Sequence, residues 1–249
     1  MIAHDTFEAG DLVLQSGTTL WQAKIAYKTY GALNAARDNV VLIPTFYASH
    51  HTDVEVMMAS GRAIDPTKHF VVVPNMIGNG LSSSPSTAPP PLDRAAFPRV
   101  TVYDNVVVQH RLLTEHLGID RIALVAGFSM GAQQTFQWAA LYPEMVAAIA
   151  PICGTARTSL HNIVFLEGVK AALTADAAFA DGWYRTPPVK GLIAFARVYA
   201  GWVYSQDFFR EHEYRKMGLA SMEDVLRFSE AQVCIRATPQ QEGRQLCSI

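Results

Sequence analysis

The run Ile122-Ala-Leu-Val-Ala126 passes directly into Gly127-Phe-Ser-Met-Gly131, and a helical pattern from Met130 to Leu141 follows, halted by Tyr142-Pro143. A serine between two glycines at such a joint must sit on a tight, strained turn, with its Oγ projecting above the sheet. Side chains at Gly127 and Gly131 would collide with the neighbouring strand and helix. The helix start adds positive partial charge and N–H groups close to whatever the serine attacks. The glycine-x-serine-x-glycine spacing alone would arise in about one chain in twenty of this composition, before the strand and helix are required. Ser129 is therefore the candidate nucleophile.

Other short, β-branched runs surround this joint. Val40–Pro44 and Phe70–Pro74, like Ile122–Ala126, are closed by Pro or Gly, as in strands buried on both faces of a parallel sheet. Lys24–Tyr30 alternates more loosely and reads as a less buried strand near the sheet edge. Val146–Cys153 reads as a further strand, with helix as the rival for so Ala-rich a run. Asp104–Leu117 has helical spacing and stops at Gly118. Strand–helix alternation of this kind predicts an α/β fold with a mainly parallel sheet flanked by helices. Ser82–Pro98 reads as a long surface loop. The expected organisation is a core over 1–158, an all-helical, aromatic-rich segment over 159–228, and an irregular tail over 229–249.

Composition removes whole classes of function. Charged residues make up 17% of the 249 and apolar residues 50%, so disorder is a poor reading. A net charge of −2 and a pI near 6.4 leave no electrostatic footprint for nucleic acid. Three cysteines without C-x-x-C spacing suggest neither a disulfide framework nor a zinc site. MIAHDTFEAG has no basic and apolar signal pattern, and the longest apolar runs fall far short of the ~20 residues of a membrane span. A soluble, cytoplasmic protein with no membrane partner is expected.

A serine nucleophile needs oxyanion donors and a base. The N–H of Met130, just after the serine, is the first donor expected. The second belongs to the loop Thr45-Phe46-Tyr47-Ala48, with Phe46 preferred and Tyr47 next. Only His161 and His212 follow Ser129 in the chain. His161 comes too soon to leave room for an intervening acid. His212 lies in the charged segment Phe208–Lys216, read as a solvated helical face, and is at most a weak base candidate. His50-His51-Thr-Asp53 is read as a solvated loop rather than a metal site, because neighbours in an extended segment point apart. Ile77–Ser84 lacks the lysine of a phosphate-cradling loop and reads as a turn. The aromatic cluster from Trp183 to Phe209 reads first as helix packing, although it would also suit the lining of an acyl pocket.

Three separated motifs carry a resemblance: Tyr27-Lys-Thr-Tyr-Gly-Ala-Leu-Asn34, Gly78-Asn-Gly-Leu-Ser-Ser-Ser-Pro85, and Gly127-Phe-Ser-Met-Gly-Ala-Gln-Gln134 with Trp138 and Tyr142-Pro143. From about Asp11 to Phe228 the chain resembles the homoserine O-acetyltransferase-like branch of the α/β-hydrolase superfamily. The resemblance implies an eight-stranded, mostly parallel sheet, a helical lid inserted after the sixth strand, and Ser129 as acyl nucleophile. Phe128 and Ala132 stand where the acetyltransferases carry glycines, and their lid arginine motif has no counterpart in Ser159–Phe228. These departures favour the hydrolase-like members. The resemblance also places two further strands, with the catalytic Asp and His, after the lid, and these are expected to be missing here. Exposed core and an unpaired sheet edge would then favour association, as a homodimer. The expected function is a serine-dependent hydrolase of small esters working through an acyl-serine. One alternative is acetyl transfer from acetyl-CoA to a hydroxyl such as that of homoserine, and another is a non-catalytic truncated remnant. No metal or organic cofactor is implied, and acetyl-CoA enters only as co-substrate under the first alternative. The partner expected is a small-molecule ester.

Overall fold

The computed structural model describes residues 2–237. They divide into two compact units, one ending at Arg157 and the other beginning at Thr158.

The first unit is a six-stranded sheet of β1 (Asp5–Val13), β2 (Thr19–Tyr30), β3 (Val40–Leu42), β4 (Phe70–Pro74), β5 (Leu124–Phe128) and β6 (Ile149–Ile152). Its spatial order is β1-β2-β4-β3-β5-β6, and β3, β4, β5 and β6 are mutually parallel. β1 and β2 join antiparallel, Tyr27 pairing with Pro74 and Ile25 with Phe7. The strand expected from Lys24 thus starts at Thr19 and lies second from the edge, because β1 covers it. β5 begins two residues later than the apolar run suggested, since Ile122 makes only an isolated bridge to Val146. Within Val146–Cys153 the strand is confined to Ile149–Ile152.

Burial explains why these runs became strands. Val40 and Leu42 pack on one face with Val72, Val125, Leu113 and Trp138. Val41 and Ile43 pack on the other with Val71, Val73 and Ala126. Helices α1 (Val102–Arg111) and α2 (Met130–Leu141) supply much of the first layer. α1 starts two residues before Asp104, because Thr101 and Asp104 form a reciprocal cap: each backbone N–H donates to the other's side chain, at 2.7 and 3.3 Å. It passes into a wider π-turn over Leu112–His116 and ends at Gly118 (φ 62°).

The second unit is helical: α3 (Leu160–Thr174), α4 (Val189–Val203), α5 (Gln206–Arg210) and α6 (Met222–Ala237), with short 3-10 turns between them. Phe165 stacks on Trp202 at 4.4 Å, and Phe195 stacks on Tyr199 at 5.4 Å. Arg197 of α4 reaches Glu223 and Glu230 of α6 at 2.9 and 2.5 Å. The tail expected from 229 is corrected by α6, which continues to Ala237; residues 238–249 lie outside the described residues. Among the described residues no helix is long and apolar enough to cross a membrane.

Candidate active site

Parallel pairing brings the carboxyl ends of β3, β4, β5 and β6 to one edge of the sheet. From β3 the chain proceeds to β4 on one side, and from β5 to β6 on the other. Loops leaving β3 and β5 therefore diverge, and the crevice between them is where open α/β sheets bind ligands. Ser129 and the segment Thr45–Ala48 border it.

Ser129 occupies the turn between β5 and α2 with φ 53° and ψ −118°. A non-glycine residue in that region carries strain of about 1–3 kcal/mol and is held there only by its surroundings. Those surroundings are visible. The Ser129 N–H donates to the Ile152 carbonyl at 2.9 Å, and its carbonyl accepts from Ala132 and Gln133 at 2.9 and 3.2 Å. A Cβ on Gly127 would lie 2.2 Å from the Gly131 carbonyl oxygen and 2.6 Å from Thr135 Oγ1. One on Gly131 would lie 2.7 Å from the Pro44 carbonyl oxygen. The spacing expected to force the turn thus does so by steric contact. A third glycine went unrecognised: a Cβ on Gly154 would sit 2.6 Å from the Ser129 carbonyl oxygen.

Met130 is the first residue of α2, where an N–H has no intrahelical acceptor. Phe46, the preferred second donor, already gives its N–H to Ser49 Oγ at 2.7 Å. The Phe46 carbonyl accepts from the Ser49 N–H at 3.1 Å and its hydroxyl at 2.8 Å. Because the peptide unit is planar and trans, that hold turns the Tyr47 N–H the opposite way. The Phe46 ring meets the Phe128 ring edge-to-face at 5.5 Å, so the loop lies beside the residue preceding the serine.

Beneath the loop lies a buried polar network that sequence reasoning did not anticipate. Asn75 Oδ1 accepts from the His51 N–H at 3.0 Å and from Asn79 Nδ2 at 3.0 Å, while Asn75 Nδ2 lies 3.1 Å from His51 Nδ1. Asn79 Nδ2 also donates to the Ser49 carbonyl at 3.1 Å. The Ser82 hydroxyl donates to the Asn75 carbonyl at 2.8 Å. The Gly78–Pro85 motif is a scaffold for the loop after β3. His50 and His51 correct the solvated-loop reading, because both are buried and His51 starts a 3-10 helix over His51–Met57. Burial holds the His51 ring below the usual histidine range. Among the described residues no group of three or more His, Cys, Asp or Glu side chains could hold a metal ion.

Both histidines that follow Ser129 belong to the second unit. His161 is exposed on α3, its ring 4.9 Å from that of Trp202. His212 does not lie on a helical face: it is exposed in a left-handed link (φ 55°) after α5, its Nδ1 2.8 Å from the Tyr214 hydroxyl.

Comparison with known proteins agrees with this geometry. The family model described as the alpha/beta hydrolase fold matches residues 38–244. An ethyl acetate hydrolase of Pseudomonas veronii is 41% identical over 88% of this chain and 65% of its own length. A homoserine O-acetyltransferase of Chlorobaculum tepidum is 37% identical over 91% of this chain and 65% of its own. The structure of the acetyl esterase MekB superposes with a TM-score of 0.90 at 38% identity, covering 93% of this chain and 68% of that one. The chain spans about 65% of the length of these curated relatives.

Proposed function

The chain belongs to the α/β-hydrolase fold family, and from that premise we propose that it is a serine acyl hydrolase of small esters, with Ser129 as nucleophile. The observation that carries this reading is the Ser129 backbone, held in a left-handed turn by glycines that tolerate no side chain. Ser129 Oγ adds to the ester carbonyl as its proton passes to a base. The new C–O bond leaves an oxyanion, which receives N–H bonds from Met130 and from the loop after β3. That loop donor is the N–H of Phe46, which also bonds Ser49 Oγ at 2.7 Å, or that of Tyr47. Collapse breaks the bond to the alcohol, which departs with a proton and leaves acyl-Ser129. Water then adds to the acyl group and releases the acid. The reaction so written uses no metal or organic cofactor, and the cytoplasm is the proposed location.

The named relatives include homoserine O-acetyltransferases, so transfer to an alcohol in place of water is the second reading. Phe128 and Ala132 beside Ser129 weigh against it, since they fill positions held by glycine in that resemblance. Hydrolysis of p-nitrophenyl acetate by the chain and by Ser129→Ala tests the first reading. Turnover lost in the variant supports it, and equal rates would leave Ser129 idle and favour the non-catalytic remnant. Faster consumption of acetyl-CoA with homoserine than with water would favour transfer.

A further inference from the structure

Gln134 lies one turn into α2, fully buried, and its side chain touches three elements. Its Nε2 donates to the Thr45 carbonyl at 2.8 Å, with Met76 Sδ at 3.0 Å and the Met130 carbonyl at 3.4 Å. Its Oε1 accepts from Gln109 Nε2 at 2.7 Å, and Gln109 Oε1 accepts from Trp138 Nε1 at 2.9 Å. Gln109 and Trp138 are buried as well. An apolar side chain of the same volume would fill this space without three desolvated polar groups, so the relay carries a cost. Its end point explains the cost. Thr45 roots the turn Phe46–Ser49, and the Thr45 hydroxyl accepts from the Met76 N–H at 2.9 Å. A fixed Thr45 carbonyl fixes the plane of the Thr45–Phe46 peptide and with it the direction in which the turn leaves β3.

We propose that Gln134 is a positioning residue: by gripping the Thr45 carbonyl from the same helix that begins at Met130, it sets the loop that presents the second oxyanion donor against the Ser129 turn. The inference rests on the hydrolase reading above. It gives one side chain control of the spacing between the two donor segments. Removing it should loosen the loop and weaken stabilisation of the oxyanion while leaving ester binding largely intact.

Gln134→Met keeps the volume and removes the grip, whereas Trp138→Phe breaks the far end of the relay and leaves the Gln134–Thr45 bond in place. Amide hydrogen exchange over residues 45–51 and steady-state p-nitrophenyl acetate hydrolysis are measured for both. For Gln134→Met, exchange in the loop is expected to quicken about 10-fold while β5 is unchanged. Its kcat should fall about 10- to 100-fold with KM within about 3-fold. Trp138→Phe should lower the melting temperature yet keep both loop protection and kcat. Unaltered loop exchange in Gln134→Met would overturn the proposal, as would an equal kcat loss in Trp138→Phe. Should Gln134→Met fail to fold, Gln134→Asn carries the same test, its amide one methylene short of Thr45. If the unaltered chain turns over no ester, the hydrolase reading fails, and loop exchange alone decides the role of Gln134.

Discussion

Ser129 holds two properties that separate cleanly by substitution: the hydroxyl proposed as nucleophile and a strained backbone. Ser129→Ala removes the oxygen and keeps the φ of 53°, so acylation should vanish while the melting temperature stays within about 2 °C. Ser129→Gly also removes the oxygen but relaxes the backbone, because glycine adopts positive φ without a Cβ clash. Part of the gain is lost to the greater freedom of glycine in the unfolded chain. A net stabilisation of about 1 kcal/mol over Ser129→Ala is expected, a rise of about 2–4 °C in the melting temperature. A lower melting temperature for Ser129→Gly than for Ser129→Ala would contradict the strain argument. The serine proposed as nucleophile was legible in the sequence because glycines flank it. The second donor proposed from the loop after β3 was not, since a backbone N–H has no side-chain signature and the bond from the Phe46 N–H to Ser49 forms in a turn that only coordinates reveal.

Elements were legible where one physical demand dominated. β3, β4 and the β5–α2 joint are buried on both faces or sterically forced, and their residues announce it. β1 went unseen because its register shifts on either side of Gly10, which breaks the period of two, and because most of its residues face solvent. Burial of His50 and His51 was equally hidden, since it depends on Asn75 and Asn79, more than twenty residues away. The forced joint predicts a ranking among glycines. Gly127→Ala would place a Cβ 2.2 Å from the backbone of α2, costing about 3 kcal/mol or more. Gly131→Ala, at 2.7 Å from the Pro44 carbonyl oxygen, should cost less, since the clash is shallower. Gly168, inside α3, has nothing within 4 Å of a built Cβ, so Gly168→Ala should stabilise by about 0.5–1 kcal/mol. Urea midpoints for the three variants check the order, and a Gly127→Ala protein as stable as the parent would refute the steric account of the turn.

For the molecule as a whole, acid is an environmental lever with an identifiable source. Burial is the main cause that lowers the proton affinity of both His51 and His110 below the ordinary histidine value of 6.5. His51 sits in the network under the loop after β3, and His110 stacks on Tyr142 with ring centroids 4.0 Å apart. Both belong to the sheet-bearing unit. Each ring gains a proton less easily when folded than when unfolded. Above pH 6.5 neither state binds the proton and the contribution is complete. As pH falls through 6.5 and then through the lower folded values, the unfolded chain takes up more protons and stability drains away, by at most about 1.4 kcal/mol per pH unit for each histidine. Carboxylates act later: Asp65, held by the Gly61 and Thr67 amides and the Thr67 hydroxyl, titrates at about 2 against an ordinary 3.8. Loss between pH 6.5 and 5 is therefore assigned to the histidines. His110→Phe keeps a ring against Tyr142 and removes one titrating group, so its melting temperature should fall less steeply over that interval than the parent's. Parallel curves for the two proteins would show that His110 is not a source of the acid sensitivity, and a His51 variant would then be the one expected to flatten the curve.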